Sequence, residues 1–586
     1  MISKRNLTKT RTIRADVLVI GSGMAGVRAA LEAKRSNLEV VLVDKSLLGR
    51  ASSSVYAGGL GLEIIPPHLK YHGASSEKYA KYYNGKMEDL FIKTLEEGVS
   101  IGWGYPYIDN QRMLMSVVTQ YAIRQEELKD FGVKDPYSQH FIGPPGLWGK
   151  YILLPMIDYL KKQKVKTFEK TVILELIEHE GHILGALAFR MNSGEFLVIR
   201  SKATVMATGG CAQIYRLTYS PTRITGDGYA IAYRAGAELW EMEMVGFENW
   251  FLNEPGAPKW WIPFSFARGS GVLRNARGEA FFPKYAKKYK CLGTKATLSF
   301  DDVMDVRYDR PLTELDHYFW RASSTEIMKG RGEDGCVFLD LTKVPEERFY
   351  METDSVFALN EMRNFEWKKK PIRISPGAEK QGGGVYINER CETGLKGLYA
   401  AGEAGTGMSI PFCIVTGTAA GRWASQYAME DAREVDLKYK KPWIEERRRG
   451  LDEILKRAPS EKGNPRNIKA LIKSTMLDKV GPLRKSGTLK GALKILDQIK
   501  EENLPFIYAK SLRELREATE AINMVTTAEI VARSALYRTE SRGLHQRMDY
   551  PERDDKNWLK NVFVKAEKDG MKVFDRPVQL IWAKPK

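Results

Sequence analysis

Cysteine is scarce in this sequence. Five cysteines, Cys211, Cys291, Cys336, Cys391 and Cys413, are spread singly through 586 residues. No C-x-x-C pair is present, so the chain offers no motif for an iron–sulfur cluster or a structural zinc of its own. Five is too few for a disulfide scaffold, and a reducing cytoplasm is the expected compartment. Long hydrophobic runs are missing too: no uninterrupted apolar stretch approaches ~18 residues, which argues against a membrane-spanning helix. The short apolar run Val17 to Ile20 leads into glycines rather than a small-residue cleavage site, against a secretory leader. Low-complexity segments and internal repeats are absent. Acidic residues are outnumbered, 73 Asp+Glu against 91 Lys+Arg, for a net charge of +18.

The length exceeds what one hydrophobic core covers and predicts several domains. With 43% hydrophobic and 28% charged residues, the balance is that of an ordinary folded protein. The basic surplus is partly local. From Arg433 to Glu502 there are 19 basic and 11 acidic residues in a helical-looking stretch. An acidic protein partner or an anionic substrate would suit it, as would plain surface adaptation. No nucleic-acid motif or basic–aromatic interleaving accompanies the charge, so nucleic acid is not the expected partner.

The strongest local pattern begins at Asp16. An apolar strand runs into Gly21-Ser-Gly23-Met-Ala-Gly26, a helix follows through Val27, Ala30, Leu31 and Ala33, and a second strand from Glu39 to Val43 ends at Asp44. In this phosphate-loop pattern Gly21 permits the tight turn and Gly23 lets backbone N–H groups approach a pyrophosphate. Gly26 allows close helix–strand packing. The helix N-terminus favours the phosphates, and Asp44 is placed to accept from a ribose hydroxyl. The pattern returns at Val205-Met-Ala-Thr-Gly-Gly210, at Thr225-Gly-Asp-Gly228 and at Gly397-Leu-Tyr-Ala-Ala-Gly-Glu403. Three returns suit a long, extended cofactor better than a single nucleotide.

Together these segments resemble the flavoprotein subunits of the fumarate reductase/succinate dehydrogenase superfamily, with L-aspartate oxidase and the adenylylsulfate reductase alpha subunit. Further matches are Ala235 to Met244, Arg321 to Ile327, Val337 to Leu341 and the tail Arg538-Thr-Glu-Ser-Arg-Gly-Leu-His545 with Asp549 to Asp555. The resemblance implies FAD, contacted at Gly21, Gly23, Gly26, Asp44 and Lys45. It adds Ser52, Ser53, Gly58 and Gly59, then Ala207, Thr208, Gly209 and Asp227, and finally Glu403 and Ile410. Members with covalent flavin carry a His where this chain has Ser52, so non-covalent FAD is implied.

The departures concern the substrate. The family's two dicarboxylate-binding His positions fall on Glu248 and Glu379, and its proton-donor Arg falls on Asp316. The loop after Glu403 that carries its last Arg is shorter here by about eight residues. Arg268 alone keeps its motif position. Carboxylates would repel a dicarboxylate that needs several cationic donors, so fumarate and succinate are not the expected substrates. Candidate catalytic residues are Arg268, Glu248, Glu379 and His545, with Trp250 in the same wall. Arg268 would bind an anionic group, and a desolvated Glu248 or Glu379 would serve as acid or base.

The expected fold is α/β: a doubly wound FAD-binding domain with an inserted α+β capping domain, a helical domain and a small C-terminal domain. Expected borders are 1–240 and 361–430 for the FAD domain, 241–360 for the cap, 431–545 for the helices and 546–586 for the C-terminal unit. The expected function is a catalytic flavoprotein subunit. It exchanges two electrons between FAD and a small anionic substrate, and passes them to or from an iron–sulfur (ferredoxin-like) subunit of a hetero-oligomer. An electron-transfer or assembly flavoprotein without its own substrate, or a self-contained flavin oxidase, are the alternatives. No metal site is expected in this chain.

Overall fold

The computed structural model describes residues 7–56, 110–134, 148–218, 220–256, 271–289, 312–344, 366–406, 409–432 and 437–582. Its main sheet starts with β1 (Thr10–Ile20) and β2 (Val40–Val43). The segments VLVI and VVLV are buried throughout, as strands of a parallel sheet covered on both faces must be. Next come β3 (Lys166–Phe168), β4 (Thr171–His179), β5 (His182–Arg190) and β6 (Phe196–Met206). The strand order is β3-β2-β1-β6-β5-β4. β1, β2, β3 and β6 run parallel, while β4 and β5 form an antiparallel extension.

The chain then leaves through β7 (Leu239–Trp240) into a second sheet made of β8 (Val245–Leu252), β9 (Val272–Arg274), β10 (Val337–Asp340) and β11 (Ile372–Gln381). This sheet is antiparallel in the order β8-β11-β10-β9. It returns through β12 (Gly384–Val385) to β13 (Leu398–Ala400), which pairs in parallel with the end of β6, Leu398 opposite Thr204 and Ala400 opposite Met206. The main sheet is thus completed by residues nearly two hundred positions after its other strands.

Two helices cover one face of the loop at the end of β1. The helix Met24–Arg35 follows β1, and the helix Ile410–Glu430 follows β13. Gly417 and Gly421 set their separation: a Cβ at either would lie 2.5 Å from the carbonyl oxygen of Ala25 or Ala29. Residues 441–537 supply the expected helices. Pro465–Val480 and Ser486–Gln498 flank the break at Gly481-Pro482, and the long helix Leu512–Tyr537 is buried along most of its length. The tail ends in a hairpin of β14 (Lys560–Glu567) and β15 (Gly570–Pro577), and β14 pairs with β7. Residues 560–577 therefore extend a small sheet begun by the two crossings between the large ones. Among the described residues no helix is long and apolar enough to cross a membrane.

Candidate functional site

Gly21 ends β1 at φ +105°, and its N–H donates to the Val43 carbonyl at 2.8 Å. A Cβ there would lie 2.2 Å from the Ala207 oxygen, and one at Gly26 would lie 1.9 Å from the Gly21 oxygen. Both contacts are backbone to backbone, so only glycine fits. Gly23 caps the following helix without a side chain of its own and faces Ser52 and Ser54. The Met24 N–H donates to Ser54 Oγ at 3.0 Å. Ser52 Oγ is buried and has no hydrogen-bond partner among the described residues, a group left for a ligand. Ser53 opens the short turn Ser53–Tyr56 beside it.

Asp44 closes this loop from β2. Its Oδ2 accepts from the backbone N–H and the hydroxyl of Ser22, at 2.9 and 2.6 Å, and its Oδ1 accepts from the Ser46 N–H at 2.6 Å. The carboxylate is thus tied to its own chain first, and a ribose hydroxyl would share oxygens that already hold the loop to β2. Lys45 donates to Thr225 Oγ1 and Asp227 Oδ2, at 2.7 and 2.5 Å, which joins β2 to the T-G-D-G turn.

At the end of β6, Ala207 donates to the Ile20 carbonyl at 2.8 Å. Thr208 Oγ1 is buried without a hydrogen-bond partner among the described residues, 1.9 Å from where a Cβ on Gly228 would stand. Gly209 takes φ +73°, and Gly210 leaves space for Glu403, whose Oε1 would lie 2.2 Å from a Cβ there. Glu403 Oε1 accepts from the Gln381 N–H at 2.9 Å. Burial pushes its carboxyl up to about 7 and the charge of Glu379 adds to this, while backbone N–H bonds from Gln381 and Gly210 oppose it. Tyr229 donates its hydroxyl to the Glu403 carbonyl at 2.6 Å. Ile410 begins the helix packed on Met24–Arg35, and the Gly402 N–H is anchored on Thr416 Oγ1 at 2.9 Å.

Two strand ends, a glycine loop, two helix N-termini and orphaned buried hydroxyls converge at the carboxyl ends of the central parallel strands, the arrangement that binds an extended dinucleotide. A family model described as FAD binding domain matches residues 16–85 and 132–411. One described as fumarate reductase flavoprotein C-term matches residues 469–586. The chain belongs to the FAD-binding fumarate reductase flavoprotein family. It is an FAD-dependent oxidoreductase.

This flavoprotein is 29% identical to an uncharacterized FAD-dependent oxidoreductase of Methanocaldococcus jannaschii, over 97% of this chain and 99% of the relative. It is 27% identical to a component of the fumarate reductase (CoM/CoB) of Methanothermobacter marburgensis, over 92% and 94%. In fold it resembles a chain of E. coli quinol fumarate reductase, with a TM-score of 0.79 at 23% identity over 98% of this chain and 99% of the other. Adenylylsulfate reductase from Archaeoglobus fulgidus gives a TM-score of 0.73 at 20% identity over 99% of each.

Around the expected site residue Glu379, β11 departs from regular pairing. Ala378 faces Phe247 and Lys380 faces Gly246, so Glu379 is the extra residue of a β-bulge. Neighbours on a regular strand point to opposite faces. The bulge instead lets Lys380 Nζ reach Glu379 Oε2 at 2.8 Å. Gly246 makes the room: a Cβ there would lie 2.8 Å from Lys380 Cγ. Glu379 is further fixed through its carbonyl, which accepts from Ser220 Oγ at 2.9 Å. Lys380 was not among the residues expected from sequence. Its signal is the opposite charge directly after Glu379, which matters only once the bulge is known.

Glu248 lies on β8 opposite Gly377, and its side chain, like those of Trp250 and Asp316, falls outside the described residues. Arg268, Gly58 and Gly59 lie outside them entirely. His545 is fully buried and both ring nitrogens are engaged: Arg484 Nη1 donates to Nδ1 at 2.8 Å, and Nε2 lies 3.3 Å from the Arg538 carbonyl. Burial, with Arg484, Arg538 and Arg547 around it, holds the imidazole well below its usual range, hence neutral. Expected in the substrate wall, His545 here belongs to a buried charge network. In it Arg538 bonds Glu243, Glu241 and Glu540 at 2.7, 3.1 and 2.9 Å.

Proposed function

We propose that this FAD-dependent oxidoreductase is the catalytic flavoprotein of a hetero-oligomeric complex. It exchanges two electrons with a small substrate carrying one anionic group, and passes them to or from a separate iron–sulfur chain. FAD, once bound, supplies the two-electron chemistry. Gly21, Gly23, Gly26 and the first turn of Met24–Arg35 would hold its phosphates, with Ser52, Thr208 and Glu403 offering hydrogen bonds along the same strand ends. Ser52 in place of the family's His supports a flavin held without a covalent bond.

The observation that carries the substrate reading is the charge order at the β11 bulge. Glu379 sits beside Lys380 and raises the neighbouring Glu403. A dicarboxylate would meet two carboxyl groups there and only one ammonium, already paired. A monoanion is better served, with its neutral reacting end toward Glu379; Arg268 is the candidate for its charge on sequence-motif position alone. Glu403, near 7, can hold or release a proton at neutral pH, and Glu379 beside Lys380 is the candidate proton acceptor. Lone cysteines without C-x-x-C spacing support electron transfer through another chain, and a cytoplasmic setting.

Purified protein tests this. Acid precipitation is expected to release FAD into the supernatant, and flavin that stays with the precipitate would overturn the non-covalent reading. Chemically reduced protein is expected to stay reduced when fumarate is added. Rapid reoxidation by fumarate would overturn the substrate reading. Isolation from source cells is expected to bring down an iron–sulfur protein.

A further inference from the structure

The flavin site does not end at the sheet. In the helix Leu512–Tyr537, residues 520, 523 and 527 are spaced i, i+3, i+7 and share one face. That face meets the T-G-D-G turn. Asn523 Nδ2 donates to Asp227 Oδ1 at 3.0 Å, and Thr527 Oγ1 donates to the Gly226 carbonyl at 3.0 Å. Glu520 is 1% exposed, accepts from Lys469 at 2.6 Å and lies 3.5 Å from Lys45 Nζ. Its Oε1 makes no hydrogen bond among the described residues but faces Lys45, Arg516 and Arg223 at 3.5, 3.7 and 3.9 Å. Burial would raise this carboxyl, yet Lys45, Lys469 and Arg516 hold it at about 2.

The turn depends on this face. Gly226 takes φ +78° and caps the helix Asp227–Arg234 with no side chain. A Cβ there would lie 2.8 Å from Thr527 Cγ2, so backbone and helix are in direct contact. Asp227 is otherwise held by Lys45 and Thr225, both part of the same site. Remove the helix face, and Asp227 and the Gly226 carbonyl each lose a hydrogen bond to Leu512–Tyr537, and Lys45 loses the Glu520 carboxylate.

We propose that Glu520, Asn523 and Thr527 are positioning residues for FAD. They hold the Thr225–Asp227 turn and Lys45 in the binding arrangement, so flavin capture and docking of the helical segment are one equilibrium. Affinity then scales with the fraction of molecules in which the turn is already set.

The test uses full-length protein freed of flavin and titrated with FAD by fluorescence quenching. Thr527→Val and Asn523→Ala, each removing one buried hydrogen bond, are expected to weaken FAD binding at least about tenfold. Thr527→Ser keeps the hydroxyl and is expected to bind as wild type does. Hydrogen exchange across 512–537 in wild-type protein is expected to slow when FAD is added, and this needs no variant to fold. Folded Thr527→Val and Asn523→Ala proteins that bind within about twofold of wild type, or exchange that FAD leaves unchanged, would overturn the proposal. A wild-type chain that takes up no FAD would overturn the flavin assignment instead.

Discussion

Glu403 has its carboxyl packed against Gly210 and still sits near 7 rather than at its ordinary 4.5. The unfolded chain releases this proton near 4.5, while the folded protein keeps it to about 7. Stability from this group is therefore full below the lower value and is lost as pH rises to the upper one, by roughly 3 kcal/mol. Urea melts of flavin-free protein between those limits are expected to show this slope. Glu403→Gln is expected to flatten it, leaving the separate slope from Glu241, which burial and Glu243 push up to about 8. Gly26→Ala is a second residue-scale change. Its methyl would stand 1.9 Å from the Gly21 carbonyl oxygen, and the purified variant is expected to carry no flavin absorbance.

Elements built from local rules are legible in the sequence, and those built by pairing are not. Buried parallel strands and glycines at forced turns declare themselves, so the strand–glycine–helix–acid unit and its returns at Thr208, Asp227 and Glu403 point to one cofactor. The bulge at Glu379 does not, because it exists only in register with β8, where Gly246 admits Lys380. The sequence pattern gives Asp44 a ribose as partner but does not show that Ser22 and Ser46 also donate to the same carboxylate. The helix face at 520, 523 and 527 is equally silent, since its partners lie about three hundred residues upstream. The seam between Met24–Arg35 and Ile410–Glu430 gives a prediction at this scale. Gly421→Val forces the helices apart and is expected to lower stability by about 1–3 kcal/mol. Flavin affinity is expected to fall with it, because the N-terminus at Ile410 moves; thermal melts with and without FAD check both.

Across the whole molecule, Arg538 ties the tail to the β7–β8 crossing. It is fully buried between Glu241, Glu243 and Glu540. Arg538→Met would strand buried carboxylates without their cation and is expected to cost about 3–5 kcal/mol in chemical denaturation. The discontinuous sheet has a consequence for biosynthesis. β13 and the Ile410 helix complete a sheet whose other strands are made before residue 207, and the T-G-D-G turn is gripped from beyond residue 520. Domains made in one stretch can fold while the rest of the chain is still being translated. On the proposed grip of the 520–527 face, the vitamin-derived cofactor has no finished berth until the helix Leu512–Tyr537 has been made. Ribosome-bound chains stalled before residue 400 are accordingly expected to emerge colourless, and loading to follow release.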